Sequence, residues 1–162
     1  LNSGEMVVGN MGTENKKNYT MMGTNVNLAA RLEGVNKVYH SWILASEFTW
    51  NLANSGTNAN KLVARKLDKV RVIGIKQPVQ LYNIVGLKSE MSLEELESID
   101  IFHKGMDKYL QKDFVNAKKF FELSYRTYPE DGPSVVFAAR CDEFIKNGVE
   151  EGWDGVVNMT SK

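Results

Sequence analysis

The chain changes character between Gly86 and Ser92, and that change limits what it can fold into. Before it, short runs of apolar and strand-favouring residues follow one another, broken by Gly- and Asn-rich turns. After it, no strand pattern returns before the tail. Three helical periods read instead from Leu93 to Gln111, Asp113 to Tyr128 and Pro133 to Lys146. Such an order demands a mixed α and β unit followed by an all-helical one. A length of 162 residues allows one ordinary domain, or one and a half small ones.

Within the first half, Glu5 to Gly9 reads as a short strand ending in a Gly9-Asn10-Met11-Gly12 turn, and Glu14 to Asn18 as a polar loop. Tyr19 to Met22 is a second strand, stopped by Gly23. Thr24 or Asn25 caps the helix that follows, and Gly34 ends it. Trp42 to Ala45 reads as a buried strand, and Ser46 as the cap of a helix reaching Ala53. Leu62 to Val72 and Pro78 to Val85 read as an antiparallel pair joined around Gly74 to Gln77. The tail from Asn147 reads as irregular, with a turn at Trp153-Asp154-Gly155.

The net charge of zero conceals an asymmetry: residues 1–90 carry +5 and residues 91–162 carry −5. Two solvated surfaces of different composition account for it, and the halves are also set to attract one another. The same numbers exclude several classes. No Lys/Arg cluster with interleaved aromatics suggests nucleic acid. No apolar run nears the roughly 20 residues of a membrane helix. Cys141 is the single cysteine, so no internal disulfide forms, and a reducing compartment fits. His40 and His103 have no metal-ligand spacing. The chain opens on Leu1 rather than Met, as expected of a piece of something longer.

The chemistry concentrates in the helix after Gly23. Asn27 and Arg31 stand one turn apart near its start and interrupt an otherwise apolar run of Val26, Leu28, Ala29, Ala30 and Leu32. Arg supplies a permanent charge on a planar fork, and Asn a neutral donor and acceptor; together they suit a phosphorylated ligand. The bland alternative has Asn27 capping backbone and Arg31 pairing with Glu33 or another carboxylate.

The stretches Leu1-Asn2-Ser3-Gly4, Val8 to Gly12, Asn18 to Gly23, Val26 to Glu33, Arg71 to Gly74 and Pro78 to Tyr82 occur in an order that resembles the C-terminal part of a class III adenylate/guanylate cyclase catalytic domain, over about residues 1–86. The resemblance implies an α+β fold, a ferredoxin-like nucleotidyl cyclase sheet with helices, of which this chain holds the C-terminal part. It implies conversion of ATP to 3′,5′-cyclic AMP and pyrophosphate, Mg or Mn as the two metals, and an active site shared in a homodimer. By the same resemblance Asn27 orients the ribose, Arg31 neutralises charge growing on the α-phosphate, and Thr20 reads the purine, favouring ATP. Signal transduction in the cytoplasm follows as the setting, with membrane attachment left to upstream sequence.

Three departures qualify the resemblance. The family's phosphate-binding Lys corresponds to Ile73 here, with Lys76 too far along. Thr24 stands where many bacterial members have Asp. The metal-binding Asp pair belongs to upstream sequence, and Asp68 and Glu5 are poor replacements, so this fragment alone is expected to be inactive. The rival reading is a degenerate cyclase-like domain that binds nucleotide or only dimerises.

In the second half Gly105, Phe114, Ala117, Phe121 and Pro129 match one tetratricopeptide repeat, expected to meet a protein partner. The expected organisation is a cyclase part at 1–88, a linker at 89–97, a tetratricopeptide-like module at 98–147 and an irregular tail at 148–162.

Overall fold

A two-residue turn at Glu14 and Asn15 organises the first element. Strand β1 (Val7–Thr13) runs antiparallel to β2 (Lys16–Met22), with Val7 opposite Met22 and Thr13 opposite Lys16. The reversal therefore comes after Gly12, and Gly9 to Gly12 pairs within β1 instead of turning. The computed structural model describes residues 1–72 and 77–159.

Helix α1 (Thr24–Val38) follows β2 directly. Neither expected cap operates: Gly23 is the N-cap, and the Asn25 side chain reaches back to donate to the Glu5 carbonyl at 3.2 Å. Gly34 does not end the helix, which continues to a C-cap at Tyr39. The extra turn carries Val35 and Tyr39 into the core, and burying them outweighs the cost of about 1 kcal/mol for a mid-helix Gly.

Strand β3 (Leu44–Ser46) and helix α2 (Glu47–Ala53) come next, and Ser46 caps α2 by accepting from the Thr49 amide. The strand is shorter than the sequence suggested. Trp42, expected inside it, is 96% exposed. Strands β4 (Leu62–Arg71) and β5 (Val79–Leu87) form the expected antiparallel pair. Ile73, Lys76 and the joining turn lie outside the described residues.

Three helices follow: α3 (Leu93–Leu110), α4 (Phe114–Thr127) and α5 (Gly132–Asn147). Helix α3 begins inside the stretch read as linker, fixed by a reciprocal capping box between Ser92 and Glu95. The tail is not irregular throughout. It supplies β6 (Val156–Asn158), parallel to the free edge of β4, and completes a sheet ordered β3-β5-β4-β6.

The two halves share one core. Leu28, Leu32, Val35, Leu67 and Leu81 from the first join Phe102, Tyr109, Phe121 and Phe137 from the second. Trp153 seals it by packing edge-on against Tyr109 and Phe114. Helices α3 and α4 approach closely at Gly105, where an added Cβ would lie 2.8 Å from the Phe121 ring. Gly105→Ala is expected to destabilise the fold by about 1–3 kcal/mol through overpacking, read as a lower urea midpoint with an unchanged m-value.

Candidate functional site

The face that α1 buries decides where its polar residues sit. Leu28, Leu32, Val35 and Tyr39 form the buried stripe, at intervals of four, three and four residues. Asn27 and Arg31 each precede a stripe residue, so they form a parallel row beside it, with Cβ atoms about 6 Å apart. Asn27 is exposed and Arg31 half-buried. Neither side chain makes a hydrogen bond or ion pair with a described residue. The bland alternative, a backbone cap for Asn27 and Glu33 or another carboxylate as partner of Arg31, has no counterpart among the described residues.

Thr20 lies on β2 opposite Gly9, three residues before Gly23, and is exposed. Strand alternation puts it on one face with Asn18 and Met22. No hydrogen bond joins it to Asn27 or Arg31 among the described residues. The chain brings the three residues to one strand–turn–helix unit and leaves all three available to an outside group.

The family's metals find no home among the described residues. No three His, Cys, Asp or Glu side chains stand together there. Asp68 is 2% exposed and already engaged by three donors. Glu5 is exposed beside the hairpin and belongs to no cluster of three such side chains among the described residues. Neither fits a two-metal centre.

No family model matches the chain. Its sequence is 32% identical over 147 residues to "Adenylate cyclase, terminal-differentiation specific" of Dictyostelium discoideum, covering 90% of this chain and 7% of that protein. It is 32% identical over 95 residues to "Adenylate cyclase 1" of Rhizobium meliloti, covering 59% of this chain and 14% of that protein. The crystal structure of the adenylyl cyclase CyaB from P. aeruginosa matches 54% of this chain and 41% of its own, at 31% identity and a TM-score of 0.42. The chain thus spans only a small part of the curated relatives it matches. Those sequence likenesses support a cyclase-like domain.

What the sequence did not disclose is a buried charge network where the helices meet that domain. Strand β4 supplies both of its anchors. The pairing jumps from Lys66–Tyr82 to Lys69–Gln80, so Leu67 and Asp68 together face Leu81. This bulge turns Asp68 inward beside Leu67. Asp68 Oδ2 accepts from Tyr39 Oη at 2.5 Å and from Arg140 Nη1 at 2.6 Å, and Oδ1 accepts from the Lys69 amide at 2.9 Å. Burial raises the Asp68 pKa, while Arg140 and Tyr39 pull it down.

On the same strand, Arg65 pairs with Asp131 at the entrance to α5, and both are buried. Ser124 and Ser134 also donate to Asp131, and Ser98 adds a longer bond at 3.4 Å. The Arg65 guanidinium lies 4.6 Å over the Phe102 ring. Its Nε is buried without a hydrogen-bond partner among the described residues. The +5 and −5 asymmetry anticipates the Arg65–Asp131 pair but not the Asp68–Arg140 pair, whose signs are reversed.

His103 on α3 is held by the same strand, its Nε2 accepting from the Lys66 amide at 3.1 Å. Burial pushes its pKa below the ordinary 6.5, and Arg65 and Lys66 add to that against Asp100 and Asp107. The unfolded chain therefore binds this proton more readily than the folded one. The His103 contribution to stability is full above pH 6.5 and is lost as pH falls through the lowered folded value. Denaturant midpoints between pH 7.5 and 5 should drop on the acid side, and His103→Gln should flatten that part of the curve.

Proposed function

We propose that this chain is the C-terminal part of a class III adenylate cyclase catalytic domain joined to a helical module, acting in cytoplasmic signal transduction. The observation that carries this reading is the Val26-Asn27-Leu28-Ala29-Ala30-Arg31 segment. It lies on the helix directly after the Thr20 strand, and its two polar side chains have no partner among the described residues. The likeness to two proteins named adenylate cyclase supports it. The helices read as one tetratricopeptide-like unit, supported by Gly105 under Phe121 and by buried Ala117 and Phe114.

In this reading the ribose 3′-oxygen attacks the α-phosphorus of ATP. One P–O bond forms, the bond to the pyrophosphate leaving group breaks, and the 3′-hydroxyl gives up its proton to solvent. Charge grows on the oxygens around the α-phosphorus, and a fixed guanidinium aimed there stabilises the transition state more than the ground state. That is the role of Arg31. Asn27 holds the ribose so that the 3′-oxygen lies in line. Thr20 exchanges hydrogen bonds with the adenine edge. Metal ions would supply charge neutralisation at the phosphates, and in this reading their ligands would come from sequence beyond this chain.

In a protein carrying the complete catalytic domain, Arg31→Ala should lower kcat for cyclic AMP by about 10²–10³-fold. The isolated chain with ATP and Mn²⁺ should give no more cyclic AMP than a heat-killed control. Unchanged activity in Arg31→Ala would remove Arg31 from the mechanism.

The hairpin bears on assembly. Val7, Val8, Met21 and Met22 are each about half exposed or more, at 66, 49, 53 and 54%. Apolar strands open on both faces favour pairing with another surface. In the whole protein this reading has the hairpin covered by the rest of the catalytic domain and its dimer. The isolated chain should self-associate, seen as a sedimentation coefficient that rises with concentration; a single monomeric species at the highest concentration would contradict this.

A further inference from the structure

Helix α1 touches the helical half through its last turn. Tyr39, its C-cap, is fully buried, and its hydroxyl reaches Asp68 at 2.5 Å. Arg140 of α5 reaches the same Asp68 oxygen at 2.6 Å. The Arg140 guanidinium lies 4.7 Å over Phe137 and 5.8 Å over Tyr39, and the Tyr39 and Phe137 rings stack at 6.1 Å. A second contact lies one residue beyond the cap. Gly132, the first residue of α5, comes so near His40 that an added Cβ would be 2.7 Å from its carbonyl oxygen. Helix α5 thus holds the end of α1 at both of these points.

The other end of the stripe carries the candidate site. Arg31 lies eight residues before Tyr39, about 12 Å along the axis. Leu32 and Val35 connect the two positions as buried members of one core cluster. A helix is stiff over two turns, so an axial or rotational shift at Tyr39 moves Arg31 and Asn27 as well. Helix α1 itself packs chiefly on the short strand β3 and the end of β2, and it meets α5 only where it ends, at Tyr39 and His40.

We propose that Tyr39, Asp68 and Arg140 are positioning residues through which the helical module sets the placement of Arg31 and Asn27. The mechanical link stands on the contacts above. Its consequence for catalysis rests on the cyclase reading. The link makes the helical module an input to the site, since any partner that shifts α5 acts on the end of α1 through the Asp68 carboxylate and the close approach of Gly132 to His40.

The test uses the 162-residue chain and the NMR signals of the Arg31 Nε–H and the Asn27 side-chain amide. Tyr39→Phe removes one hydroxyl and keeps the ring, and should shift both signals although it touches neither residue. Arg140→Met should shift them in the same direction, and adding Tyr39→Phe to Arg140→Met should add little. Arg140→Lys, which keeps the charge, should stay near the wild-type positions. If Arg140→Met does not fold, the same cycle is run with Arg140→Gln. Unmoved signals in folded Tyr39→Phe, or shifts from the two sites that simply add, would overturn the link.

A second arm uses a protein with the complete catalytic domain. Tyr39→Phe should lower kcat about tenfold or more while KM for ATP holds within about twofold, the mark of misplaced transition-state groups. A normal kcat beside shifted signals would overturn the catalytic consequence. A wild-type protein making no cyclic AMP would remove the cyclase reading and leave the NMR result standing.

Discussion

Two buried charges on one strand fix how the two halves of the molecule seat on one another. Arg65 and Asp68 both point inward from β4, and each meets an opposite charge from the helical half. A buried charge without its partner costs several kcal/mol, so neither half can adopt this arrangement while the other is displaced. The net stability such pairs add is small, because desolvation offsets most of the attraction. Their effect is geometric. Hydrogen bonds at 2.6 Å to a buried carboxylate leave few ways to seat α5 against β4 and α1.

The bulge in β4 makes this possible. A regular strand alternates its faces and would send Asp68 outward, beside Lys66. Placing two residues opposite Leu81 brings both Leu67 and Asp68 inside, and the pair of anchors then faces the helices. The three serines around Asp131 serve the same end, giving a buried carboxylate enough donors to remain in place.

How much of this was legible depends on the range of the interactions involved. Helices α3, α4 and α5 and the β4–β5 pair were readable because period and turn chemistry are local. So was Ser46 as a cap, since a cap acts within one turn. Where the structure departs from the sequence pattern, partners outside the local segment account for most of the difference. Gly34 stays helical because Val35 and Tyr39 find a core. The tail forms β6 because β4 leaves an edge open. Gly9 to Gly12 pairs with β2 because the reversal lies at Glu14 and Asn15. For Trp42 the structure offers no reason for its exposure.

The sequence by itself determined the local chemistry: a strand, a turn and a helix presenting Thr20, Asn27 and Arg31, all within twelve residues. Helical spacing alone sets Asn27 beside Arg31, so their position relative to one another needed no knowledge of the rest. The tertiary structure decided what those side chains are held against. The Arg65–Asp131 and Asp68–Arg140 contacts span 66 and 72 residues. No local pattern marks them, because a lone Arg or Asp in a strand reads the same whether water or a buried partner faces it. Only the folding of both halves onto one core brings these charges together, and with them α5 and the end of α1.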